Sequence, residues 1–133
     1  MFVLDTNVCI DLGRGDTATA ELLEALEGRA PLAVTAITVH ELVQGAYRAE
    51  RVERELSIIR RMLQAFDVLE YNGAAGWIAG RLAAQLLKQG RPIGDLDTMI
   101  AATTMAHSAQ LVTRNMKHFE RVEGLVLHPV DPV

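Results

Sequence analysis

Of the 17 acidic residues in this 133-residue chain, four stand out by what surrounds them. Asp5 closes the apolar run Met1-Phe2-Val3-Leu4. Glu41 lies three residues after Thr38, just beyond the apolar run Leu32 to Ile37. Asp95 and Asp97 follow Gly94, and the polar trio Thr113-Arg114-Asn115 ends the run beginning at Gln110. If those runs are strands of a parallel sheet, ligands bind beyond their carboxyl ends, and four separate segments bring acids or polar groups to one edge. Two carboxylates about 4 Å apart repel by about 4 kcal/mol at an effective dielectric near 20, so converging acids call for a cation. Ligands that are all oxygen favour Mg²⁺ or Mn²⁺ over zinc. A hydrated magnesium ion suits phosphodiester hydrolysis, because it activates water and neutralises phosphate charge.

Each residue also has a plainer use. Asp5-Thr6-Asn7 offers helix-capping chemistry, and Glu41 can complete a capping box with Thr38. Asp95, directly after Gly94, is a natural N-cap. Asp97 has less structural reason to be there, since two residues along a helix it points about 200° away from Asp95. His40 has no second histidine at zinc-binding spacing. His107, His118 and His128 are scattered and read as surface or packing residues. Cys9, the one cysteine, allows no internal disulfide and reads as a small buried hydrophobe. Thr113 and Asn115 are the uncharged groups best suited to hold a metal-bound water or a phosphate oxygen. Arg48, Arg51, Arg54, Arg60 and Arg61 alternate with Glu50, Glu53 and Glu55, as on a solvated helix face with internal pairs. The small residues Gly73, Ala74, Ala75, Gly76 and Gly80 around Trp77 fit either approach of a neighbouring helix or packing inside the domain.

The elements that must position these groups follow from periodicity. Strands are expected over 1–4, 32–37, 68–71, 110–113 and 125–127. Helices are expected over 17–29 with Thr19 as cap, from Thr38 onward, over 48–66, 74–89 and 95–107, with short segments near 8–12 and 115–119. Pro129 and Pro132 should end regular structure at the tail. Strand and helix alternate throughout, which predicts one α/β domain over residues 1–133 with a mostly parallel sheet. Half the residues are hydrophobic but only 5% aromatic, so Leu, Ile, Val, Ala and Met must fill the core. A net charge of −4 argues against general nucleic-acid binding unless a cation reverses the local sign where the acids converge. With no signal-peptide pattern and no apolar run near the roughly 20 residues a bilayer requires, a cytoplasmic protein without membrane association is expected.

In order along the chain, Leu4-Asp5-Thr6-Asn7, Thr38-Val39-His40-Glu41-Leu42, the stretch from Ile93 to Ala102 and the stretch from Leu111 to Phe119 resemble the four motifs of PIN-domain nucleases of the VapC branch. Phe119 to Leu125 also resembles the VapC tail. The resemblance covers nearly the whole chain. It implies a PIN-like three-layer fold and a metal bound by Asp5, Glu41 and Asp97, with Asp95 at a neighbouring, variable position. Asn115 and His118 stand where some relatives place acids, which implies one Mg²⁺ (or Mn²⁺) rather than a tightly held pair. It further implies an endoribonuclease acting as the toxin of a toxin–antitoxin pair, a VapB-like antitoxin that blocks the site, and a homodimer. Arg114 and Lys117, flanking the fourth motif, are then the candidates to touch RNA. Two rivals are a PIN domain that only binds RNA or protein, and a magnesium phosphatase or receiver-like domain; the acid pairs typical of the latter are missing after the first strand.

Overall fold

A computed structural model describes residues 1–130 of the chain. Its elements run β1 (Phe2–Leu4), α1 (Thr6–Gly13), α2 (Thr17–Glu27), β2 (Leu32–Thr35), α3 (Ala36–Tyr47), α4 (Val52–Ala65), β3 (Asp67–Leu69), α5 (Gly73–Lys88), α6 (Asp95–Ala106), β4 (Gln110–Thr113), α7 (Met116–Phe119) and β5 (Val126–Pro129). The five strands form one sheet in the order β3-β2-β1-β4-β5, and every neighbouring pair is parallel.

Burial on both faces explains why the inner strands read as unbroken apolar runs rather than alternating ones. Successive side chains of a strand point to opposite faces. Phe2, Leu4, Leu32, Val34 and Val112 accordingly pack with Val8, Leu23, Leu26, Leu42, Leu56, Ile59 and Met62 on the side of α1, α2 and α4. Val3, Ala33 and Leu111 pack with Leu82, Leu86, Ile100 and Phe119 on the side of α5, α6 and α7. This is the expected three-layer α/β architecture. The chain builds β1, β2 and β3 outward in one direction, then returns to place β4 on the other flank of β1. The crevice between the carboxyl ends of β1 and β4 is therefore the topological switch point, the preferred ligand site of such sheets.

Several helix starts differ from the sequence expectation, and in each case a better oxygen lies nearby. The cap of α2 is Asp16, whose carboxylate accepts from the Thr19 N–H, so Thr19 is the recipient and not the cap. Helix α3 starts at Ala36, capped by the Thr35 hydroxyl, which accepts from the Thr38 N–H at 3.2 Å. Strand β2 is correspondingly shorter than 32–37, and Glu41 falls in the second turn of the helix, out of a capping box. Asp95 is the first residue of α6 rather than its cap: that position belongs to Gly94 at φ 91°, a conformation open mainly to glycine. Helix α4 begins at Val52, not Arg48. Regular structure ends at Pro129 as expected: it is the last residue of β5, on an edge strand where a missing N–H is tolerated. Pro132 lies outside the described residues. An added Cβ at Gly73, Gly76 or Gly80 would meet nothing within 4 Å, so packing inside the domain does not require those glycines.

Candidate active site

Asp5 follows β1 directly and sits in the switch-point crevice, its own N–H donating to the Val112 carbonyl at 2.9 Å. Its side chain is buried, and both oxygens are occupied. Oδ1 accepts from the Thr6 N–H at 2.8 Å, and Oδ2 accepts from the hydroxyl of Thr113, the last residue of β4, at 2.8 Å. Thr113 Oγ1 in turn accepts from the Asn115 N–H at 2.9 Å. Asn115 thus supports the site through its backbone, while its side chain lies in an exposed position.

Glu41 reaches the same place from α3. The Thr6 hydroxyl donates to Glu41 Oε1 at 2.6 Å and stands 3.0 Å from the Thr38 hydroxyl. Because the single Thr6 hydroxyl proton goes to Glu41, Thr38 must be the donor of that second bond. Asp97 enters from the first turn of α6, where His118 of α7 meets its Oδ2 at 2.8 Å through Nε2.

These three acids act on one another. Burial pushes the Asp5 carboxyl above its ordinary range, and the neighbouring charges of Asp97 and Glu41 push it further. The Thr113 hydroxyl and the Thr6 N–H pull in the opposite direction without cancelling the shift. An anion that burial and two like charges both disfavour is an arrangement that attracts a cation.

The model for the PIN domain matches residues 2–125 of the chain. The chain belongs to the PIN-domain family, in its VapC branch. It is 37% identical over 125 residues to the tRNA(fMet)-specific endonuclease VapC of Shigella flexneri, covering 93% of each protein. It is 28% identical over 132 residues to ribonuclease VapC2 of Rickettsia felis, covering 98% of each. Among solved structures it resembles VapBC2 of Rickettsia felis bound to a promoter DNA fragment, with a TM-score of 0.93 at 27% identity over 98% of each chain. DNA-bound VapBC of Salmonella typhimurium gives 0.91 at 30% identity, again over 98% of each.

The donor set of this VapC-family chain fits a hydrated divalent ion. The candidate donors are oxygens, and among the described residues no three acid, histidine or cysteine side chains are already gathered closely enough to enclose a metal by themselves. Magnesium is commonly held by one or two carboxylates with water filling its remaining positions, so it does not need a closed protein cage.

The other sequence candidates lie outside this cluster. Asp95 is exposed at the start of α6 and makes no side-chain hydrogen bond among the described residues. Lys117 is exposed on α7. Arg114 turns toward α1 and α2, donating from Nε to Asp11 Oδ2 at 2.7 Å and from Nη2 to Thr19 Oγ1 at 3.0 Å, with Asp16 3.5 Å away. Two site residues went unrecognised in the sequence. Thr6 was read only as capping chemistry, although its place between Asp5 and Asn7 in the first motif was the available signal. His118 looks in the sequence like a surface or packing residue, and its place beside Phe119 in the fourth motif is the available signal.

No helix among the described residues is long and apolar enough to cross a membrane. Beside Glu41, helices α1, α3 and α4 frame a groove of about 540 Å³, lined by Ile10, Leu42, Ala46, Ile58, Ile59 and Met62 among others.

Proposed function

We propose that this chain is a divalent-metal-dependent endoribonuclease, with Mg²⁺ as the natural ion and Mn²⁺ able to replace it, acting as the toxin of a type II toxin–antitoxin pair. The observation that carries the reading is the buried Asp5 carboxylate at the switch point, held by Thr6 and Thr113 and repelled by Asp97 and Glu41. When bound, the ion supplies activation of water and charge neutralisation on the scissile phosphate. Asp5 and Asp97 would hold it. Thr113 fixes one Asp5 oxygen and Thr6 orients Glu41, which completes the oxygen set. Exclusion of water around Asp5 strengthens each of these interactions. Lys117, exposed on α7 beside His118, would meet an RNA phosphate.

The antitoxin reading is supported by the groove at Glu41, where apolar side chains of α1, α3 and α4 are flanked by the charged Arg14, Arg54 and Glu55. A helix of a VapB-like partner would bury its apolar face there and direct a basic side chain, most effectively arginine, to the carboxylates in place of the metal charge. The homodimer expected for the family is supported by Trp77, 85% exposed on α5 beside glycines that packing inside the domain does not require.

The test uses purified protein and several RNAs, with initiator transfer RNA first because the Shigella flexneri relative is named for it. Cleavage should require Mg²⁺ or Mn²⁺, stop in EDTA, and disappear in Asp5→Asn and Asp97→Asn. Full cleavage in EDTA would refute the metal-dependent reading. Binding of RNA without any cleavage would favour a binding module instead.

A further inference from the structure

The Asp97 carboxylate is held by a single side-chain contact among the described residues, and its side chain remains 33% exposed. Repelled by Asp5, it would gain by turning outward to water. Among the described residues one side chain holds it, His118, whose Nε2 lies 2.8 Å from Oδ2. An ionised carboxylate only accepts hydrogen bonds, so Nε2 carries the proton and donates. The imidazole is itself anchored. It packs edge-on against Phe119, with ring centroids 5.3 Å apart and planes at 87°, and Phe119 is buried in the core beneath α7. A second tie joins the same two regions: Arg121, just after α7, donates to the Pro92 carbonyl in the loop that leads into α6.

We propose that His118 is a positioning residue, which holds the Asp97 carboxylate beside Asp5 so that a divalent cation meets an oxygen already in place. An acid at position 118 would face Asp97 with a like charge; histidine turns that same position into a donor. Because Nε2 donates to Asp97, His118 acts through that carboxylate. Partners that orient a ligand in this way commonly change metal affinity by about 10- to 100-fold when removed. The inference rests on the proposal that these acids bind a divalent cation.

The experiment measures Mn²⁺ binding to purified, metal-free protein by calorimetry and by electron paramagnetic resonance, for wild type, His118→Ala and His118→Gln. The glutamine amide N–H can reach the position of the imidazole Nε2. We expect His118→Ala to weaken Mn²⁺ binding by about 10- to 100-fold. His118→Gln should recover most of the loss, and the wild-type Mn²⁺ signal should carry no imidazole nitrogen coupling. Metal-free melting curves check that the fold is intact. If the alanine variant fails to fold, His118→Asn replaces it, since asparagine is too short to reach Asp97. Unchanged affinity in the truncated variant overturns the proposal, as does a glutamine variant equally weak. Imidazole nitrogen coupling in the wild type also overturns it by making His118 a ligand. A wild type that binds no Mn²⁺ is a separate result: it refutes the metal site itself, and the positioning role with it.

Discussion

Replacing Thr113 by valine would remove one hydroxyl while keeping the shape of a fully buried side chain. In the native arrangement that hydroxyl donates to Asp5 Oδ2 at 2.8 Å and accepts from the Asn115 N–H. A hydrogen bond to a charged group contributes about 1.5–3 kcal/mol, a neutral one about 0.5–1.5 kcal/mol. The loss should therefore depend on whether Asp5 is ionised. The Asp5 carboxyl already lies above its unfolded value, chiefly through burial, so the folded protein binds its proton more tightly than the unfolded chain does. Stability consequently falls as pH rises from the unfolded value through the folded one. The Thr113 bond opposes that shift, so Thr113→Val must raise the folded value further and carry the loss of stability to higher pH. In EDTA the expected penalty is about 1.5–3 kcal/mol on the alkaline side of the Asp5 titration and about 0.5–1.5 kcal/mol on its acid side. Each kcal/mol corresponds to a melting shift of about 3–6 °C for a domain of this size. Urea or thermal unfolding of both proteins across pH gives the difference directly, since other groups titrate alike in each. Thr113→Ser should restore most of the stability. A penalty that is equal at the two ends of the pH range, or larger at the acid end, refutes the electrostatic role assigned to Thr113.

Asp5→Asn should abolish cleavage yet raise the metal-free melting temperature at neutral pH, by about 0.5–2 kcal/mol of stability, the usual gain when functional strain is relieved. The wild type should in turn gain about 2.7 kcal/mol from a divalent ion at a hundred times its dissociation constant, a gain that calorimetry should find missing in the variant. Lys117→Ala should reduce the slope of RNA affinity against log salt by about one. Arg114→Ala should change that slope less and melting more, because its guanidinium is engaged with Asp11 and Thr19; equal slopes for the two variants would contradict this. Gly94→Ala, forcing a Cβ into φ 91°, should cost about 1–3 kcal/mol in denaturant unfolding and weaken metal binding by shifting the first turn of α6.

The architecture was readable because the chain places apolar runs and amphipathic segments in strict alternation. Strands buried on both faces cannot hide in such a sequence, and the run from Gln110 to Thr113 became β4 without change. Helix starts were less readable, because several oxygens compete for the same few N–H groups. Thr35, Thr38 and Glu41 are all chemically able to cap α3; which one does so depends on where β2 stops, and that is decided by pairing with β1 and β3 across the sheet. The side of the molecule on which Arg114 settles was equally hidden, since its partners Asp11 and Thr19 lie nearly a hundred residues earlier.

Helix capping and the site are linked by one physical cause. A carboxylate that caps a helix has its charge satisfied locally, so it has little reason to gather with others. Glu41 and Asp95 both offer capping chemistry, and neither caps: Thr35 relieves the first of that task and the glycine conformation of Gly94 the second. Relieved of it, Glu41 is held instead by Thr6, from a different segment, in the crevice that already contains Asp5. Asp95 has no such second partner and stays at the surface. Asp97, two residues on, has His118 and adds its charge to Asp5. What sets the three clustered acids apart is therefore not a local motif but a donor brought from far along the chain to hold each of them. Thr6 for Glu41, Thr113 for Asp5 and His118 for Asp97 are that set, one distant side-chain donor for each carboxylate, with the Thr6 N–H adding a second bond to Asp5.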